Sequence, residues 1–386
     1  QLFKDKWNLP LFFATGLILI SCFKNTLYPS LEISSKWNTS YIWLQILNWI
    51  PLFLCFWGFQ NYLQSYNQRK IFAKSLIIGT FPVVISCIGQ YFFKWYGPFE
   101  ILNGFVVWFQ KPLSTDQGLT GLFSNQNYAG FWLSTVFPFS LTLILIRNKF
   151  NFKYLFTLII SLSIFYLTLL TNSRNAFLGI LTSIPILLSF KYLLITFILL
   201  ITLLPTLLYI LPILPEALAL NLQSLIPLKL IHKITRFNLD NFYNYPRIEI
   251  YLKTLNLISM KPFLGWGAST FSLVYLIQKG VWSAQHSHNL SFQLAYDFGI
   301  PLSLVLTLMI FILFVKSWKK ILNPKHNRKN LIDRAWISSV FIALFFHIND
   351  MPYYDIKVSI LIWTLLSGLK CILDEKNYLE EEKIIS

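Results

Sequence analysis

Charge is what this sequence has least of. Asp, Glu, Lys and Arg make up only 12% of its 386 residues, about half of what an ordinary soluble domain carries. That scarcity excludes a conventional water-soluble globular protein. Cysteine is also sparse: Cys22, Cys55, Cys87 and Cys371 lie within or at the ends of apolar runs, and none has a metal-type spacing. They read as small buried hydrophobes and leave no cysteine metal centre. The first apolar run lacks a small-residue cleavage site, so it is expected to stay as a helix rather than be removed. The chain starts at Gln1 rather than Met, which leaves room for residues before it.

Apolar residues fill the space that charge leaves. They reach 55% of the chain, with thirty-six Phe and thirteen Trp, in runs long enough to cross a bilayer at roughly 20 residues per helix. The expected fold is an all-α polytopic membrane protein, a single integral membrane domain over residues 1–386. About ten transmembrane helices fall near 9–23, 41–59, 71–96, 128–146, 154–170, 177–190, 192–215, 290–315, 334–348 and 356–373. The stretch 177–215 is broken mainly by Lys191 and Tyr192 and reads as a tight hairpin.

Net charge is +16, which in a soluble protein would point to nucleic acid. Here the cations have a different source, because Lys and Arg accumulate in loops kept in the cytoplasm. Lys4 and Lys6, Arg69 and Lys70, Arg147, Lys149 and Lys153, Lys191, and the cluster from Lys316 to Arg334 all fall on one side. The bilayer is therefore the expected partner, with no nucleic acid. Both termini are expected in the cytoplasm, and the acidic residues 374–386 form a cytoplasmic tail.

Three places on the opposite, external face stand out: the segment ending GLFSNQNYAG, the turn TNSRNA at 171–176, and the loop 216–288. That loop is far longer than an ordinary connection. Its segment 222–236 suits an interfacial helix. Pro246 suits the first position of another helix, which places Arg247 in its first turn, where an anion is favoured. Met260-Lys261-Pro262 should end that helix, and Gly265 and Gly267 permit a sharp reversal.

Each polar candidate carries more than one reading. Arg174 is a cation in a short external turn, either a partner for phosphate or a side chain reaching lipid headgroups. His286 and His288 precede span eight as interfacial polar residues, a proton acceptor or metal ligands; His347 and Asp350 share their side. Asn125, Gln126 and Asn127 read as a helix cap or as site residues. Asp297 is placed one or two turns inside span eight. Two arginines able to hold a diphosphate and a histidine able to take a proton point to group transfer from a lipid-linked diphosphate to a hydroxyl.

GLFSNQNYAG, the Ser-Arg of TNSRNA, RIEIYLKTLNLISMKPFLGWGASTF and HNLSFQLAYDFGIPL together resemble blocks of the O-antigen ligase and polymerase superfamily of bacterial membrane glycosyltransferases. The ligase pattern is His, then Asn, Ser or Gln, nine residues, then Gly-x-x-Gly, Thr or Tyr. His288, Asn289 and Gly299 fit it, and Leu302 departs from it at the last position. That departure bears on strict lipopolysaccharide ligase activity rather than on the superfamily. The resemblance implies a GT-C-like, metal-independent enzyme of the inner membrane, without cofactors, that acts on its periplasmic face. It implies an undecaprenyl-diphosphate-linked glycan as donor and a glycan or lipid as acceptor. It implies His288 as general base and Arg174 and Arg247 as diphosphate ligands; Asn127, His286, Asn289 and Asp350 are accessory candidates. The alternative is a small-anion transporter of the bicarbonate type, which would need charge at the membrane midplane or an internal repeat; Gln45, Asn48 and Gln90 are the strongest polar residues there.

Overall fold

A computed structural model describes residues 5–29, 38–113, 117–147, 150–188, 245–278, 284–322 and 330–375. In chain order it contains α1 (Leu9–Leu27), α2 (Tyr41–Tyr62, with 3-10 stretches), α3 (Tyr66–Phe92), strands β1 (Phe99–Ile101) and β2 (Val106–Trp108), α4 (Gln126–Leu145), α5 (Phe152–Leu170) and α6 (Arg174–Leu188). After the undescribed segment come α7 (Pro246–Met260), α8 (Phe271–Ile277), α9 (Leu290–Phe298), α10 (Ile300–Ile321), α11 (Leu331–Asn349) and α12 (Ile356–Asp374). Eight of these, α1 to α5 and α10 to α12, are long and apolar enough to cross a membrane, and α6 is a shorter apolar helix. The protein is an all-α polytopic membrane protein. The seventh expected span (192–215), the interfacial segment 222–236 and most of the tail lie outside the described residues.

Span eight differs from expectation. The sequence reads as one helix from residue 290, but the chain breaks at Gly299, whose φ of 99° only glycine adopts readily. The membrane-length helix starts at Ile300, and Asp297 lies in the short helix before it. The hairpin β1–β2, paired Phe99↔Trp108 to Ile101↔Val106, was also not legible in the apolar pattern.

The chain divides into two compact units. The first comprises residues Gln1–Arg69, Asn241–Lys320 and His347–Ser386. In it α12 packs on α2, with the rings of Phe53 and Phe56 edge-on to Trp363. Tyr353 stacks on Trp49, donates to the Asn48 carbonyl and accepts from Trp363 Nε1. Arg69 is fully buried; it bonds the Leu63 and Gln64 carbonyls and pairs with Glu375 at 2.6 Å. A further cluster joins Ile250, Leu257 and Ile258 of α7 to Trp266, Phe271, Tyr275, Ala295 and Tyr296.

The second unit comprises Lys70–Asp240 and Ile321–Phe346. Its centre is α4, packed by α5 and α6. Trp336 of α11 lies fully buried against Phe72 and Phe139. Small residues bring backbones together: a Cβ at Gly130 would come 2.9 Å from Ser173 and Ala176. Gln90 of α3 accepts from the backbone N–H of Thr120 and Gly121 and donates to the Lys111 carbonyl. This amide therefore satisfies backbone groups of the irregular segment before α4.

Candidate active site

Three short segments of the first unit build the site: the start of α7, the turn before α9, and the turn between α11 and α12. Pro246 opens α7 behind an extended Tyr245, as a residue without a backbone donor can. That places Arg247 in the first turn. The Ile248 and Glu249 N–H groups donate to the Tyr245 carbonyl, and Glu249 supplies a negative charge in the same turn. The helix end is thus partly satisfied internally, and the guanidinium itself carries the attraction for an anion.

The second segment runs through His286, Ser287, His288 and Asn289. Asn289 caps α9, accepting from the Phe292 N–H at 3.0 Å and donating to the Ile348 carbonyl at 3.0 Å. His288 adopts a left-handed backbone with φ 55°, a strained conformation for a non-glycine residue. Ser287 N–H donates to Gln293 Oε1 at 2.9 Å, and His288 N–H donates to His286 Nδ1 at 3.3 Å. The Tyr251 hydroxyl stands 3.3 Å from the His288 carbonyl and 3.2 Å from that of Ile348.

Asp350 comes from the third segment. Its Oδ1 lies 3.2 Å from His288 Nδ1 and accepts from the Met351 N–H at 2.8 Å, while Oδ2 lies 3.7 Å from Arg247. Burial works to raise the Asp350 carboxyl, but the His288 hydrogen bond and the Arg247 charge outweigh it and hold the group below the usual carboxylate range. It is therefore ionised. Burial first, then the charge of His288, pushes His286 down to about 4, so this ring is neutral near pH 7. With Nδ1 accepting, its proton sits on Nε2. If His288 donates from Nδ1 to Asp350, its Nε2 is left as the basic nitrogen, the arrangement of a base oriented by a carboxylate.

A second carboxyl ties the segments together. Asp297 is buried, accepts from Gln293 Nε2 at 3.0 Å and from the Tyr354 hydroxyl at 3.3 Å, and burial pushes it up to about 8. Gln293 meets the histidine segment and Tyr354 belongs to the Asp350 turn. Just behind, the Gly-Trp-Gly reversal docks on the helix break: Trp266 N–H donates to the Tyr296 carbonyl at 2.8 Å and Gly267 N–H to that of Asp297 at 3.1 Å. Gly265 and Gly267 have φ of 64° and 93°, the reversal read from the sequence.

The first unit thus brings together Arg247, His286, His288, Asn289 and Asp350. Ligand atoms of His286, His288 and Asp350 lie within 4.8 Å of one another, a set that could hold a metal ion, although Arg247 already places a cation on Asp350. His347 is not part of that set; its ring lies edge-on to Tyr353. Arg174 and Asn127 belong to the second unit. Arg174 is exposed as the first residue of α6, and Asn127 N–H donates to the capping Asn125. There Gly118 sits against the Thr171 carbonyl, and Leu119 N–H donates to the Leu170 carbonyl, so the segment leading into GLFSNQNYAG meets the TNSRNA turn. Tyr251, Gln293 and Tyr354 were missed by sequence reading. Tyr251 had one signal, its position four residues after Arg247 on one helix face.

Residues 156–307 match the family model described as O-Antigen ligase. The matched stretch includes Arg174, Arg247, His286, His288, Asn289 and Asp297 and stops before Asp350. A search of curated proteins gives no match.

Proposed function

With the chain thus a member of the O-antigen ligase and polymerase superfamily, a bacterial membrane protein of glycosyltransferase type, we propose that it moves a glycan from an undecaprenyl diphosphate donor to a hydroxyl on a glycan or lipid acceptor. The observation that carries this reading is the His288–Asp350 pair at 3.2 Å with Arg247 beside it. The acceptor hydroxyl gives its proton to His288 Nε2, and its oxygen attacks the anomeric carbon. The bond from that carbon to the diphosphate oxygen breaks in the same displacement, so the configuration inverts. Asp350 stabilises the imidazolium that forms.

The leaving diphosphate needs its charge neutralised. Arg247 has five N–H donors, and its contact to Asp350 is loose at 3.7 Å, which suits the fork to phosphate oxygens. The family resemblance gives Arg174 the same ligand. Two arginines do the work that a divalent cation would otherwise do, and the reaction is metal-independent on this reading. His286 and Asn289 hold the loop of the base, and Asn127 is an accessory of the second unit. The chemistry takes place on the periplasmic face, with both termini in the cytoplasm. Residues 216–288 form one periplasmic loop within a single membrane domain, and 374–386 form the tail.

Glycan profiling of a deletion strain carrying wild-type or His288→Ala copies tests this. Loss of polymer with single lipid-linked units accumulating identifies a polymerase; unattached lipid-linked polymer identifies a ligase. A wild-type profile from His288→Ala at normal membrane levels overturns the proposal. In purified form, EDTA is expected to leave transfer unchanged; loss restored by a divalent cation would move His286, His288 and Asp350 from base to metal site.

A further inference from the structure

Helices α1 and α10 both belong to the first unit, and a cavity of about 690 Å³ lies between the start of α1 and the middle of α10. Its walls are apolar, with Phe13 of α1 and Leu308 and Ile312 of α10 among them, and Lys6 and Lys316 close one end. Both lysines are exposed. Trp7 also lines the wall, with Lys316 Nζ 5.6 Å from its ring centroid.

Two features define what fits. The groove follows α10 from Val305 to Lys316, about 16 Å at 1.5 Å rise per residue. That is about half of a hydrocarbon core roughly 30 Å thick, the depth of one leaflet. The charged end coincides with the boundary of the apolar run: α1 begins at Leu9, just after Lys6 and Trp7, and the last turn of α10 carries Lys319 and Lys320. An aromatic ring with cations at the headgroup level above an apolar slot is complementary to an acyl chain bearing a phosphate. This is also the end of α10 away from the candidate active site, because α10 begins directly after the Gly299 break. The charged end of the slot therefore points away from the Gly299 break.

We propose that this groove binds one anionic phospholipid, its headgroup phosphate between Lys6 and Lys316 and an acyl chain against Phe13, Leu308 and Ile312. The inference does not depend on the glycosyltransferase reading. Each lysine near an anionic headgroup is worth about fivefold in binding, so the preference over a zwitterionic lipid should fall by about that factor for each one removed.

Native mass spectrometry of the full chain, released from nanodiscs of equal phosphatidylglycerol and phosphatidylethanolamine, reads this preference directly. Wild-type protein should retain phosphatidylglycerol selectively. The Lys6→Gln/Lys316→Gln pair should lose most of the selectivity, Lys6→Arg/Lys316→Arg should keep it, and Lys319→Gln, an exposed lysine outside the groove, should leave it unchanged. Equal retention of both lipids by wild type, or unchanged selectivity in the glutamine pair, overturns the proposal. So does preferential retention of undecaprenyl phosphate, added at the same level, that the Lys6→Gln/Lys316→Gln pair loses, since that would assign the slot to a polyprenyl lipid.

Discussion

Replacing Asp350 by Asn removes one negative charge and little volume, and the geometry fixes what should follow. An imidazolium forming at His288, 3.2 Å from a carboxylate, gains about 5 kcal/mol at an effective dielectric near 20. The His288 side chain is 28% exposed, so water screens part of that gain. About 3 kcal/mol is left, equivalent to roughly a 10²-fold fall in kcat. That lies at the low end of what general-base catalysis supplies, about 10²–10⁴. The Asn amide can also donate toward Nδ1, which favours the wrong tautomer and deepens the loss.

The same substitution frees Arg247 from a carboxylate neighbour at 3.7 Å, so KM for the donor should stay level or fall. The assay is transfer by purified protein in nanodiscs, with lipid-linked donor varied at saturating acceptor. A kcat within threefold of wild type, with donor KM raised instead, would refute the base assignment and make Asp350 a donor-site residue. Stability offers a separate readout. Because the folded carboxyl titrates below its ordinary 3.8, its stabilising contribution is present above that pH and is lost as pH falls through the lower folded value. Wild type and Asp350→Asn should therefore differ in thermal midpoint near neutrality and begin to converge only as pH falls below 3.8.

Arg174→Lys should be almost as harmful to transfer as Arg174→Ala, because a planar two-pronged contact is lost while the charge is kept; full rescue by Lys in the profiling strain would reduce Arg174 to a simple charge. Asp297→Asn should change the pH dependence of stability in a set direction. Burial keeps the native carboxyl neutral up to about 8, whereas the unfolded group ionises near 3.8, so wild-type stability falls as pH rises across that window and the Asn variant is spared. Thermal midpoints at pH 5 and pH 8 that shift equally in both proteins would show that Asp297 is already ionised in the fold.

Much of this was legible because the bilayer imposes simple rules. Run length located the membrane helices, and Pro246 marked the start of α7 to the residue, since proline fits a first turn and fails inside one. The glycines at 265 and 267 announced their reversal for a similar reason. The break at Gly299 was hidden because Leu290 to Ile321 is continuously apolar enough to pass for one helix; only the backbone shows a Cβ at 299 falling 2.0 Å from the Phe263 carbonyl. Asp350 was seen as a residue of a short turn, and its partnership with His288 bridges 62 positions, a separation that no local pattern encodes. Gln45, Asn48 and Gln90 were the strongest polar residues in a midplane that otherwise looked nearly free of charge, which already weighed against a transporter. Each is engaged within the fold: Gln45 donates to Ser269, Asn48 donates to Gln45, and Gln90 holds a loop.

The strain at His288 explains why so many neighbours of the base are polar groups that hold its backbone. A left-handed backbone at a non-glycine residue costs about 1–2 kcal/mol and persists only where its surroundings over-determine it. Here the peptide before His288 is held by Gln293, its own N–H by His286, and its carbonyl side by Tyr251 and the Asn289 cap. Asp350 is fixed independently by the Met351 N–H. The two halves of the pair are tied by Asn289, which donates to the Ile348 carbonyl, and again by Asp297, which accepts from Gln293 on one side and from Tyr354 on the other. A base and its carboxylate held by separate segments and joined through a third group need no rearrangement when charge develops. That is the condition under which fixed dipoles and charges are worth most in a barrier.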